Sequence, residues 1–131
     1  EIKIDHKNDW NKQHLKAIVS SYKRAPYFEY YEASIDQLFK LKSIFLVDFL
    51  LETNNWVNSN LKANWKGSVK SNQIEEKTID PWLPKNYFKL PNPIKYQQVF
   101  EDKTGFLPNL SILDLLFCCG GRQATNLLMP S

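Results

Sequence analysis

Asp114 is the residue of this sequence best suited to acid–base chemistry. It lies in an apolar segment, residues 111–117, and helical periodicity places it on the same side as Ser111 and Cys118, away from the leucines. A poorly solvated carboxylate of this kind can take up and release a proton as a general acid or base. The alternative is structural, because Ser111 and Asp114 have the spacing of a capping box, in which both side chains bond the start of a helix.

His14 is the second candidate for proton transfer. It lies on the apolar face of a predicted helix, one turn from both Trp10 and Ile18. It is either a buried neutral imidazole bonded to a carbonyl group, or a general base that contacts substrate. The two histidines and the adjacent pair Cys118–Cys119 show no metal-ligand spacing, so we predict no metal site.

A set of aromatic and polar side chains could complete the site by binding substrate. The set is Tyr22, Tyr96, Gln98, Asn109 and Ser111. Tyrosines pack in a core and can also pack against sugar rings, and the Gln98 amide either orders the proline-rich loop or binds a ligand. Asn109 and Ser111 precede a predicted helix, where they either cap it or orient an anionic ligand at its N-terminus. We expect this set to converge with His14 and Asp114 on one cleft.

Two blocks of the sequence resemble the WbqC-like protein family. Residues 96–117, YQQVFEDKTGFLPNLSILDLLF, are similar to its C-terminal signature, and Trp10, His14, Tyr22 and the APYF segment 25–28 fit an earlier pattern. The family is associated with bacterial surface-polysaccharide gene clusters. The resemblance implies a protein of O-antigen-type polysaccharide biosynthesis, with a group transferase acting on a sugar or nucleotide-sugar as the leading hypothesis. The alternatives are a non-catalytic binding or partner module and a degenerate fragment of such a protein.

The resemblance also implies that this chain represents only part of a family member. Family members carry an additional N-terminal segment with a His-Gln-Pro-x-Tyr-like motif, which this sequence lacks. We therefore predict that the chain is the C-terminal portion of a WbqC-like domain, truncated at its N-terminus.

Composition excludes several other classes of protein. A chain of 131 residues predicts one domain, and a net charge of +3 is too small to indicate a nucleic-acid partner. No apolar run approaches the roughly 20 residues that span a bilayer. Adjacent cysteines lack the geometry of a disulfide with each other, which favours reduced thiols in the cytoplasm. Walker, Rossmann and Gly-x-Ser-x-Gly motifs are absent from the sequence, so we predict no cofactor.

The elements that would position these residues are mostly helices. Apolar periodicity and proline positions predict a mainly α fold, or α+β with one or two short strands, and a long proline-rich irregular connection. The predicted helices are 10–24, 27–39, 45–61, a turn or two at 96–101, and 110–117. The predicted strands are 1–4 and 65–74, and the connection is 75–94. Asp9 is expected to cap the first helix, and residues 120–131 to form a C-cap, a short helix and a free end.

Overall fold

The computed structural model describes residues 1–63 and 90–130 of the chain. This part is mainly helical, as predicted. Its helices are α1 (Trp10–Tyr22), α2 (Phe28–Lys40), α3 (Leu46–Leu61), α4 (Glu101–Thr104) and α5 (Ile112–Leu128). None of the described helices is long and apolar enough to cross a membrane.

The predicted strand at 1–4 is reduced to an isolated antiparallel bridge between Lys3 and Phe45. Ile4 N–H donates to the Ile44 carbonyl, and Leu46 N–H donates to the Ile2 carbonyl, both at 2.9 Å. The bridge fixes the chain just before α3. The predicted strand at 65–74 and most of the connection at 75–94 lie outside the described residues.

The first two helices form an antiparallel pair joined by a short turn. Ala25 N–H donates to the Tyr22 carbonyl at 2.8 Å, and the proline that follows ends α1 near its predicted limit. Asp9 does occupy the N-cap position of α1, but the prediction that its side chain caps the helix is wrong. Its carboxylate instead binds the ammonium group of Lys12 at 3.2 Å.

The core is centred on α5. The largest fully buried side chains are Phe28, Ile35, Leu61, Leu116 and Phe117. The Phe117 ring lies 5.2 Å from that of Phe28, edge to face, and 5.0 Å from that of Tyr22, measured between ring centroids. Helix α5 therefore covers the apolar faces that α1, α2 and α3 present.

A pair of glycines lets α5 approach the other helices. Gly120 has φ 75° and ψ 161°, a conformation essentially restricted to glycine, and it kinks α5 where the sequence predicted a C-cap and a further short helix. A Cβ atom on Gly121 would lie 2.2 Å from the Asn60 carbonyl oxygen of α3. Gly121 N–H donates to the Tyr31 hydroxyl, and Thr125 Oγ1 donates to the Leu61 carbonyl, both at 2.7 Å. The backbones of α3 and α5 are thus in direct contact.

Candidate active site

The start of α5 places Asp114 in the interior with its carboxylate turned away from the helix N-terminus. Ser111 is the N-cap, and its Oγ accepts a hydrogen bond from Leu113 N–H at 3.1 Å. Asp114 N–H donates to the Ser111 carbonyl, while Asp114 Oδ2 accepts from the Tyr96 hydroxyl at 2.6 Å. Ser111 therefore caps the helix, but the capping-box role for Asp114 is wrong. The Asp114 residue is only 4% exposed, and burying a carboxylate is unfavourable unless it is hydrogen-bonded. The bond from the Tyr96 hydroxyl therefore stabilises the buried carboxylate.

Two tyrosines converge on that carboxylate. Burial raises the pKa of the Tyr22 hydroxyl well above its usual value, and the charge of Asp114 and a hydrogen bond to it raise it further. Burial also raises the pKa of Tyr96, the hydrogen bond to Asp114 adds to the rise, and a hydrogen bond with Gln98 partly opposes it. Both hydroxyls are therefore neutral donors at physiological pH. One carboxylate thus ties together the end of α1, the segment before α4, and α5.

Cys118 lies one helical turn beyond Asp114. Burial raises the pKa of its thiol to about 12, with the charge of Asp114 as a second cause, although the Val99 N–H opposes the rise. Burial raises the pKa of Cys119 as well. Since the thiolate is the nucleophilic form, neither cysteine is activated for attack at neutral pH.

These thiols make stability depend on pH in the alkaline range. An unfolded Cys118 ionises near pH 9, whereas the folded one stays protonated until about pH 12. Its contribution to stability is therefore complete below about pH 9 and is lost as the pH rises toward 12. Urea unfolding between about pH 8 and 10 should show a falling free energy of unfolding, with a slope of up to about 1.4 kcal/mol per pH unit for each such thiol. Cys118→Ala should make this slope shallower, and an unchanged slope would contradict the proposed protonated state.

Gln98 holds the loop that leads into α5. Its Nε2 donates to the Leu107 carbonyl at 2.7 Å, and its Oε1 accepts from Leu107 N–H at 2.8 Å. Gln98 N–H in turn donates to Glu101 Oε2 at 3.0 Å. These bonds order residues 98–107, which is a different loop from the proline-rich one predicted for the Gln98 amide.

An open cleft of about 810 Å³ borders this loop. The Tyr96 and Phe106 rings meet edge to face at its side, with their centroids 6.2 Å apart. The polar residues lining it are Lys95, Gln97, Gln98, Glu101 and Asp102. Sequence reasoning missed Phe106 and Glu101 as parts of the site. It placed Cys118 on the same side of the helix as Asp114 but gave it no role in the site.

His14 does not join this group. It is exposed, and its ring centroid lies 5.5 Å from that of Trp10 and 6.5 Å from that of Phe39. It precedes Tyr22 by two helical turns, roughly 12 Å along α1 at a rise of 1.5 Å per residue. The interpretation of His14 as a buried imidazole is therefore wrong, and its contacts lie at the other end of α1 from Asp114.

Asn109 lies in the turn before α5 with a left-handed φ of 58°. Asparagine is among the residues that tolerate this conformation best. The structure thus gathers Tyr22, Tyr96 and Gln98 around Asp114, with Ser111 and Asn109 at the helix start. Within residues 1–63 and 90–130, no three His, Cys, Asp or Glu side chains are grouped so that they could hold a metal ion.

Residues 1–83, more than half of the chain, match the sequence model of the WbqC-like protein family. The chain belongs to the WbqC-like protein family. The match lies in the N-terminal part of this WbqC-like protein and not, as predicted, in its C-terminal part. It includes Trp10, His14, Tyr22 and the APYF segment 25–28, whereas the block 96–117 lies outside it. No curated protein and no solved structure matches the chain.

Proposed function

We propose that this WbqC-like protein serves O-antigen-type surface-polysaccharide biosynthesis in the bacterial cytoplasm by binding a sugar or nucleotide-sugar in the cleft beside Tyr96. Family membership supports the polysaccharide context. The cleft itself is the observation that carries the proposal. Its volume of about 810 Å³ falls in the range of small-molecule sites, and its lining combines two aromatic rings with carboxylates and amides.

This lining suits the chemistry of a pyranose. The apolar face of a sugar ring packs against aromatic side chains such as Tyr96 and Phe106. Sugar hydroxyl groups donate hydrogen bonds to carboxylates, which Glu101 and Asp102 offer, and the exposed Gln97 amide both donates and accepts. Because Glu101 already accepts a bond from Gln98 N–H, Asp102 and Gln97 are the polar groups with the greater freedom to bind ligand.

In this proposal Asp114 is a positioning residue. It fixes the Tyr96 hydroxyl from behind, so that the Tyr96 ring presents a constant surface to the cleft. A group transferase would use the same cleft to hold its donor or acceptor sugar, and Asp114 would act on it through Tyr96.

The second candidate is a non-catalytic sugar-binding module. The observation that favours it is that Asp114 is buried and accepts a hydrogen bond from Tyr96, while His14 lies at the far end of α1. Neither predicted catalytic side chain is then free to exchange a proton with a ligand in the cleft. Measurement of turnover separates the two candidates.

The test is calorimetric titration with UDP-glucose, UDP and glucose. Gln97→Ala and Asp102→Asn should each weaken binding of the glucose-containing probes by about tenfold, the effect of one lost hydrogen bond to a well-bound group. Gln37→Ala and Asp48→Asn make the same chemical changes at exposed positions of α2 and α3 and should bind like the wild type.

Two outcomes would overturn the proposal of a sugar site in this cleft. One is that no glucose-containing probe binds, and the other is that the cleft variants bind as tightly as the controls. Phosphorus NMR can monitor UDP-glucose in the presence of a polysaccharide acceptor. Consumption of UDP-glucose under these conditions would indicate the transferase. Binding without consumption would indicate the binding module.

A further inference from the structure

A second groove, of about 540 Å³, lies beside Cys119 and shares no lining residue with the cleft beside Tyr96. The start of α2, the C-terminal end of α3 and the kink of α5 form its walls. Cys118 borders the small cavity next to Gln98, whereas Cys119 borders this groove. The groove is therefore separate from the cleft beside Tyr96.

The two glycines of the kink open this groove. Neither Gly120 nor Gly121 places a side chain in it, so backbone forms part of its floor. The Tyr27 ring packs closely on this floor, since a Cβ atom on Gly120 would lie 2.9 Å from two of its ring carbons. The kink thus creates a depression with one aromatic ring already at its edge.

The charge of the groove differs from that of the first cleft. Lys62 and Arg122 line it, and no Asp or Glu is among its lining residues in the described part of the chain. The first cleft has one cation, Lys95, against the carboxylates of Glu101 and Asp102. Both ion pairs formed within residues 1–63 and 90–130 lie elsewhere, on α1 and α2. Two cations in a concave surface attract anions, and arginine favours phosphate.

The groove also presents unusual aromatic surface. Tyr30 is 80% exposed and Tyr27 is 44% exposed, although both lie beside a polar rim. The Tyr30 ring meets the Tyr31 ring edge to face, with their centroids 5.1 Å apart. Gln123 and Asn126, one turn apart on α5, add amide groups that both donate and accept.

We propose that this groove binds a phosphorylated ring compound, either a nucleoside phosphate or a sugar phosphate. The phosphate would contact Lys62 and Arg122, and the base or sugar ring would pack on Tyr30 and Tyr27. The inference uses none of the residues on which the sugar site beside Tyr96 depends, so either proposal can fail without the other.

The experiment is calorimetric titration of the whole chain with five probes: uridine monophosphate, glucose 1-phosphate, uridine, glucose and inorganic phosphate. At least one phosphorylated probe should bind at least tenfold more tightly than its unphosphorylated counterpart, and its affinity should fall with added salt. The phosphorylated probe that binds more tightly shows whether the groove prefers a nucleoside phosphate or a sugar phosphate.

Variants assign this binding to the groove. Lys62→Gln and Arg122→Gln should each weaken binding of the phosphorylated probe by about tenfold, which is the effect of losing a charge-assisted hydrogen bond. Tyr30→Ala removes an exposed ring and should weaken binding several-fold. Lys42→Gln removes a charge from an exposed position outside the groove and should leave the affinity unchanged.

Three results would overturn the inference. The first is the absence of binding by both phosphorylated probes. The second is equal binding of the phosphorylated probe by wild type, Lys62→Gln and Arg122→Gln. The third is equal affinity for inorganic phosphate and for the phosphorylated probes, because the tyrosines would then contribute nothing.

Discussion

Asp114→Ala is expected to lower the free energy of unfolding by about 3 kcal/mol, from the loss of a charge-assisted hydrogen bond and the exposure of a partly buried hydroxyl to an apolar cavity. Tyr96 would lose its acceptor, and Tyr22 would lose a neighbouring carboxylate, while both remain half-buried. Three separate segments would also lose the group that joins them. Urea unfolding monitored by tryptophan fluorescence measures the change.

A double-mutant cycle separates the hydrogen bond from the cavity. Tyr96→Phe, Asp114→Ala and the double variant should show a coupling of about 1 kcal/mol or more, because each single variant removes the hydrogen bond from Tyr96 to Asp114. Tyr30→Phe removes the hydroxyl of an exposed tyrosine and should leave stability within about 0.5 kcal/mol of the wild type. A fully stable Asp114→Ala would show that the carboxylate does not hold the fold together.

Gly121→Ala should be destabilising by about 1–3 kcal/mol, the usual effect of forcing a methyl group into filled space. In an open helix the same change would stabilise by about 0.5–1 kcal/mol, since alanine has the higher helix propensity. The sign reverses here because the new Cβ would lie 2.2 Å from the Asn60 carbonyl oxygen. The helices must then separate, which strains the hydrogen bond from Gly121 to Tyr31. Thermal and urea unfolding measure the effect.

Glycine positions elsewhere in the chain serve as controls for this prediction. Gly105 also has a positive φ, of 69°, but a Cβ atom there would meet nothing within 4 Å. Gly105→Ala therefore reports the backbone strain alone, on the order of 1–3 kcal/mol. Gly120→Ala combines that strain with a contact to the Tyr27 ring and should be the most harmful of the three. If Gly121→Ala is more stable than the wild type, the close approach of α3 and α5 is wrong.

Local features of the sequence account for the helices that were predicted correctly. The apolar stripes of α1, α2 and α3 repeat at helical spacing within each segment, and Pro26 marks where α1 must end. Ser111 was identified as a cap because a serine before an apolar helical run is a short-range signal. Each of these predictions needed only neighbouring residues.

The role of Asp114 depended on residues distant in sequence. The capping-box spacing with Ser111 was present, but Tyr96, 18 positions away, provides a stronger donor in the interior. The prediction that His14 is buried failed for a related reason. The helical face that carries His14 packs on Phe39, but this contact lies at an edge of the fold that is exposed to solvent. The extension of α5 past Gly120 was only partly foreseen, because the kink requires contacts with Tyr27 and Tyr31.

The bonds between α5 and the earlier helices also govern how fast the chain can fold. Gly121 and Tyr31 are 90 positions apart, and Thr125 and Leu61 are 64 apart. Closing a loop of 90 residues costs about 2 kcal/mol more entropy than closing one of 10, from the logarithmic dependence on loop length. Helices α1 and α2 meet across a short turn and can pair within microseconds, but Phe28 and Ile35 stay open to water until α5 arrives. We therefore expect the docking of α5 to limit the rate of folding, and the chain to fold more slowly than its helical content alone would indicate.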